Sequence, residues 1–126
     1  MGRKVLLIED EPNIIEALSY ILSRDGWSVH VHSDGPTAAA RVAERPPEVV
    51  ILDVMLPGRS GFDILGDIRA TPGLEALPVM MLTARGQQKD RARAEALGVT
   101  LYMTKPFDNA EIVAQVRTLA GPDRAA

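Results

Sequence analysis

Five residues of this 126-residue chain have side chains suited to a reaction site: the carboxylates of Glu9, Asp10 and Asp53, the hydroxyl of Thr83 and the ammonium of Lys105. Each lies at the end of a short apolar run. Residues 5–8 lead into Glu9-Asp10-Glu11-Pro12, residues 49–52 into Asp53, residues 79–82 into Thr83-Ala84 and residues 99–103 into Thr104-Lys105-Pro106. Short continuous apolar runs bounded by turn signals read as strands buried on both faces. In an open parallel sheet, chemistry collects outside the carboxyl ends of the strands. A carboxylate nucleophile, a lysine and a hydroxyl donor are parts that can move a phosphoryl group. The cation neutralises charge on the phosphoryl oxygens, and the carboxylate can itself accept the group as an acyl phosphate.

These residues meet only if the elements between them bring the strands side by side. After the first strand, Ile14, Ile15, Leu18, Ile21 and Leu22 recur at helical spacing, with Asp25-Gly26 as the stop. Residues 27–32 alternate, with Val29 and Val31 on one face and His30 and His32 on the other, which suits a half-covered edge strand. Asp34-Gly35 turns into an Ala-rich helix over residues 36–45, ended by Pro46-Pro47. Pro57-Gly58 closes the segment after Asp53, and Ser60 caps a helix through Arg69 with Phe62, Leu65 and Ile68 on one stripe. Residues 85–97 are helical in propensity but polar almost throughout, and Gly98 stops them. Asp108 caps a last helix, with Glu111 as capping-box partner and Phe107 stapling onto Ile112. Strand and helix alternate five times. That order predicts an α/β fold, a five-stranded doubly wound parallel sheet in the flavodoxin-like order 2-1-3-4-5.

Composition bounds the alternatives. The chain is 46% hydrophobic and 25% charged, with a formal net charge of −3 and no cysteine. That is one ordinary domain without a disulfide framework or thiolate metal site. No block of like charge suggests a nucleic-acid arm, and the first apolar run is too short for a signal peptide or a membrane span. We therefore expect a cytoplasmic domain over residues 1–121, with 122–126 a tail or the start of a linker, that binds neither nucleic acid nor membrane directly.

In the order 2-1-3-4-5 the first and third strands are neighbours, about 4.8 Å apart, so Asp10 faces Asp53 with Glu9 close by. Three carboxylates this close repel and raise one another's pKa values. Mg²⁺, which takes oxygen ligands and keeps several waters, resolves that conflict. Lys105 starts two strands, about 10 Å, from Asp53, and its stem can cover most of the gap.

The chain resembles the receiver domains of bacterial two-component response regulators. The motifs that carry the resemblance are Leu6-Leu7-Ile8-Glu9-Asp10-Glu11, Leu52-Asp53-Val54-Met55-Leu56-Pro57-Gly58, Leu82-Thr83-Ala84 and Lys105-Pro106-Phe107. The resemblance implies that Asp53 accepts phosphate from the phosphohistidine of a sensor histidine kinase or phosphotransfer protein. It implies a Mg²⁺ site formed by Asp10, Asp53 and the backbone carbonyl of Met55, with Glu9 acting through a water. Lys105, Thr83 and the backbone of Ala84 would hold the phosphoryl oxygens. Thr83 and Tyr102 would form the switch, and the Lys105–Pro106 bond would be cis. The output would be a partner or a C-terminal effector domain, with a phosphorylation-dependent homodimer as one form of it. Arg85, two residues past Thr83, would slow water's access to the phosphoryl group.

Other readings fit less well. A flavin carrier on this fold needs a phosphate loop after the first strand, where Glu9-Asp10-Glu11 would repel it. A haloacid-dehalogenase-like phosphatase needs a second Asp at position 55, which is Met. A phosphorylation-independent adaptor would have no use for the acceptor residues. Glu9, Asp10 and Glu11 could instead cap the first helix, and His30 and His32 read as surface residues. Receivers that dimerise through the fourth helix, fifth strand and fifth helix usually carry an acidic pair before the switch aromatic. Here those positions are Thr100 and Leu101, with Leu97 and Gln115 also departing from that pattern. Arg91 and Glu111 remain for one cross-dimer pair, and Leu101 is expected to form an apolar patch.

Overall fold

Residues 3–84 and 86–122 are described by the computed structural model. The elements alternate in the expected way: β1 (Lys4–Ile8), α1 (Pro12–Arg24), β2 (Ser28–His32), α2 (Gly35–Glu44), β3 (Val49–Leu52), α3 (Gly61–Ala70), β4 (Val79–Thr83), α4 (Gln88–Ala96), β5 (Leu101–Thr104) and α5 (Asn109–Ala120). All pairings are parallel and the strand order is β2-β1-β3-β4-β5. This is the doubly wound order expected from the sequence.

Successive side chains of a strand point to opposite faces, so each central strand feeds two core layers. Leu6, Ile8, Val50, Leu52 and Met81 pack with Ala38, Val42, Phe62, Leu65 and Ile68 from α2 and α3. Val5, Leu7, Val49, Ile51, Met80 and Leu82 pack with Leu18, Leu22, Ile112 and Val116 from α1 and α5. Helix ends follow local chemistry. Asp34, Ser60 and Asp108 each accept a backbone N–H in the first turn of α2, α3 and α5. Gly26, at φ 95°, lets the chain leave α1 in the left-handed region.

Four local expectations are corrected. α4 begins at Gln88, because Gly86 and Gln87 run past the end of β5 first: a Cβ on Gly86 would lie 3.1 Å from Cγ2 of Thr104. Arg85 and the role expected of it lie outside the described residues. β5 starts at Leu101, since the N–H of Val99 still bonds back to Ala94 O at 3.0 Å. On β2, Val29 packs inward but Val31 is 44% exposed at the sheet edge. The Asp108 cap takes the N–H of Ala110 at 2.9 Å, while Glu111 is exposed and makes no reciprocal bond among the described residues.

Candidate functional site

The site begins in the register of the two central strands. Ile8 pairs with Leu52, so the residues that follow, Glu9-Asp10 and Asp53, emerge together. The N–H of Asp53 bonds to Ile8 O at 3.1 Å and that of Glu9 to His32 O at 3.2 Å, which extends the ladder into the carboxylates themselves. One oxygen from each of Glu9, Asp10 and Asp53 lies within 4.8 Å of the others. Glu9 and Asp53 are buried and Asp10 is exposed.

Helix capping does not account for these acids. α1 starts from Glu11 with no side-chain cap, and Pro12 occupies its first turn. Glu9 Oε1 instead accepts the N–H groups of Asp10 and Glu11, at 3.1 and 3.2 Å. Its other oxygen, Oε2, accepts from Lys105 Nζ at 3.2 Å, and the same Nζ donates to Asp53 Oδ2 at 3.3 Å. Lys105 thus bridges the end of β5 to those of β1 and β3. Its own N–H bonds to Thr83 O at 2.7 Å, and the Lys105–Pro106 peptide is cis.

Burial, and after it the Asp53 charge, pushes the Glu9 carboxyl up from 4.5 to about 7, against the opposing pull of the Glu11 N–H and the Lys105 ammonium. Burial also disfavours the charge on Lys105, but Asp53 and Glu9 outweigh it and raise the ammonium's pKa. Among the described residues, Lys105 is the one cation paired with these three carboxylates, too little to balance them. The donors are all oxygens, one side is open to water through Asp10, and a hard divalent cation such as Mg²⁺ fits that set. A cleft of about 430 Å³ opens beside it, lined by Asp10, Val54, Met55, Leu56, Pro57 and Ser60.

The other expected residues surround this cluster. Thr83 is fully buried at the end of β4, and Ala84 is exposed just after it. The Met55 side chain is 60% exposed, and its N–H faces Asp53 Oδ1 at 3.4 Å. Tyr102 is buried on β5 beneath Arg91, whose guanidinium lies 5.0 Å from the ring centroid and donates to Tyr102 O at 3.2 Å. Arg91 is therefore engaged within the domain. Leu101, expected as a surface patch, is partly buried against the second core layer. His30 pairs with Ser28 Oγ at 3.3 Å and His32 with Thr37 Oγ1 at 2.8 Å, away from the carboxylates.

Two glycines carry a role beyond the sequence reading, which gave Gly35 only a turn and Gly61 none. A Cβ on Gly61 would lie 2.1 Å from the carbonyl oxygen of Asp53, and one on Gly35 2.7 Å from that of Pro57. Both let helix starts close onto the loop after Asp53. The signal available was their place at the first turn of a helix, Gly61 directly after the Ser60 cap, where any other residue serves unless another backbone approaches.

A family model for the response regulator receiver domain matches residues 5–117. Over 116 residues the chain is 40% identical to the phosphate regulon transcriptional regulatory protein PhoB of Rhizobium meliloti, covering 92% of this chain and 51% of that protein. The chain thus spans about half the length of that relative. Among solved structures, the receiver domain of sensor histidine kinase PA1611 from Pseudomonas aeruginosa superposes with a TM-score of 0.89 at 28% identity, covering 97% of this chain and 100% of that one. That structure has a magnesium ion coordinated in its active site cleft. The BeF₃-activated N-terminal receiver domain of Klebsiella pneumoniae RstA gives 0.86 at 26% identity, covering 95% and 100%.

Proposed function

The chain belongs to the response regulator receiver domain family, and from that premise we propose that Asp53 is its phosphoacceptor, loaded from the phosphohistidine of a histidine kinase or phosphotransfer protein. The observation that carries the reading is the Lys105 ammonium set between Glu9 and Asp53, at 3.2 and 3.3 Å. A cation in that place faces the Asp53 carboxylate directly, and it stands beside the phosphoryl oxygens once they arrive.

The reaction is an in-line transfer. An Asp53 carboxylate oxygen attacks phosphorus, the phosphorus–nitrogen bond breaks, and its electron pair returns to the donor imidazole. Lys105 screens the incoming charge, while the hydroxyl of Thr83 and the backbone N–H of Ala84 receive phosphoryl oxygens. Asp10, Asp53 and the Met55 carbonyl would hold Mg²⁺, with Glu9 acting through a water. When bound, the ion supplies the positive charge that offsets carboxylates and phosphoryl together. Glu9, with one oxygen on two backbone N–H groups and the other on Lys105, is fixed as part of the wall. The domain assists its own phosphorylation and dephosphorylation and turns over no separate substrate.

In this reading residues 1–121 form the receiver, in the cytoplasm with its donor. Loading at Asp53 shifts Thr83 and Tyr102 and thereby controls an output partner or effector domain. A phosphorylation-dependent homodimer is one form of output, but Thr100, Leu101, Leu97 and Gln115 speak against the fourth helix, fifth strand and fifth helix as its surface, and Arg91 would have to leave Tyr102 before pairing with Glu111 of a second copy.

Incubation with acetyl phosphate and Mg²⁺ followed by intact-mass measurement tests the reading. Wild type should gain one phosphoryl group, Asp53→Asn none, and omission of Mg²⁺ should abolish the gain. An unmodified wild type would leave the adaptor reading in its place.

A further inference from the structure

The fourth helix is weakly anchored. Of its residues only Asp90 and Ala94 are buried, so little apolar area holds it to the sheet. Two of its arginines lie on aromatic rings instead. Arg91 covers Tyr102, as described above, and the Arg93 guanidinium lies 4.4 Å from the ring centroid of Phe62. Cation–aromatic contacts of this kind are weak and depend on the position of both groups.

Phe62 is tied to the loop after Asp53. It is 1% exposed in the first turn of α3, and its N–H bonds to Ser60 Oγ at 3.0 Å. The preceding Gly61 donates to Val54 O at 2.9 Å and packs directly on the Asp53 backbone. A shift of the acceptor loop therefore carries the Phe62 ring with it. Beside the ring, a groove of about 410 Å³ lined by Phe62, Gly66, Asp67, Arg93 and Leu97 separates α3 from α4. That space lets α4 respond to the ring without repacking the core.

We propose that the Arg93–Phe62 stack is a second mechanical link from the acceptor loop to α4, parallel to the one expected through Thr83 and Tyr102. Its use in signalling rests on the reading of Asp53 as phosphoacceptor. Its existence does not, because the link is present before any group is added.

Hydrogen exchange at the amides of residues 92–97 tests it. Arg93→Gln should speed exchange about two- to fivefold, and Arg93→Lys, which keeps a cation over the ring, should restore most of the protection. Ser60→Ala, which loosens the turn carrying Phe62, should speed exchange in α4 of the wild type but add nothing in the Arg93→Gln background. Equal acceleration in both backgrounds overturns the link. With acetyl phosphate and Mg²⁺, the change in α4 exchange should shrink in Arg93→Gln at equal phosphoryl loading by intact mass, and an undiminished change overturns the link's part in signalling. If no loading occurs, the reading of Asp53 falls, and the Ser60 and Arg93 comparison still decides whether the link exists.

Discussion

Gly61 and Gly66 lie in the same helix, yet replacing each with alanine should move stability in opposite directions. A Cβ at position 61 would sit 2.1 Å from Asp53 O, 2.8 Å from Val54 Cα and 2.9 Å from Asp53 C. Carbon contacts relax at about 3.5–4.0 Å, so one side must retreat by more than an ångström. The obstacle is backbone and cannot rotate away. The helix cannot retreat easily either, because Phe62, Ile64 and Leu65 behind it are buried. Overpacking of this severity costs about 3 kcal/mol or more, a large part of the stability of an ordinary domain. At position 66 the nearest atom to an added Cβ is Leu97 Cδ2 at 3.8 Å, an ordinary contact. There alanine should stabilise by about 0.5–1 kcal/mol through helix propensity. Urea unfolding reads both as shifts of the midpoint at constant slope. A Gly61→Ala midpoint equal to wild type, or a Gly66→Ala loss larger than that of Gly61→Ala, refutes the packing argument. Gly61→Ala should also slow phosphoryl loading, since the displaced backbone is that of Asp53.

Further outcomes follow from the charges and the loops. The Glu9 carboxyl titrates at about 7 in the fold and near 4.5 when unfolded, so the folded state holds the extra proton between those values. With chelator present, stability should therefore be fully expressed at low pH and fall by about 1–3 kcal/mol as pH rises from 5 to 8. Urea midpoints across that range measure the fall; Glu9→Gln should flatten it, and an unchanged slope in that variant would count against the shift. Lys105→Met leaves Glu9 and Asp53 without the cation that stands 3.2 and 3.3 Å from them. It should cost about 2 kcal/mol at pH 8 and less at pH 5, where Glu9 is protonated; equal losses at both pH values contradict the ion-pair account. Arg69 donates to Gly98 O at 2.8 Å, Leu74 O at 3.0 Å and Thr100 Oγ1 at 3.3 Å. Arg69→Leu should lower the thermal midpoint and cost about 2 kcal/mol, with exchange rising at Gly98 and Thr100; a shift confined to α3 would place the effect elsewhere.

The alternation of strand and helix was legible because local rules write it. Buried parallel strands require unbroken apolar runs, and residues 5–8, 49–52 and 79–82 supply them. Crossover handedness narrowed the strand order to a few topologies, among which 2-1-3-4-5, the order of the resembling family, brings Glu9, Asp10, Asp53, Thr83 and Lys105 to one end of the sheet. Weakly patterned stretches read less well. The start of α4 is not legible because residues 85–97 are polar almost throughout, and the approach of Gly86 to Thr104 shows where the loop ends. Val31 alternates correctly and is still 44% exposed, because β2 is the edge strand and no described residue buries it.

The sequence by itself determined which elements form and which reactive side chains stand at their ends, since both depend on neighbours a few residues apart. Only the tertiary structure decided how Lys105 spans two carboxylates from different strands, how far burial lifts the Glu9 carboxyl, and why Gly61 must be glycine. It alone also laid Arg91 and Arg93 of α4 on Tyr102 and Phe62. Each of those depends on distances of a few ångströms between segments far apart in the chain, and such distances are set by the packing of two core layers.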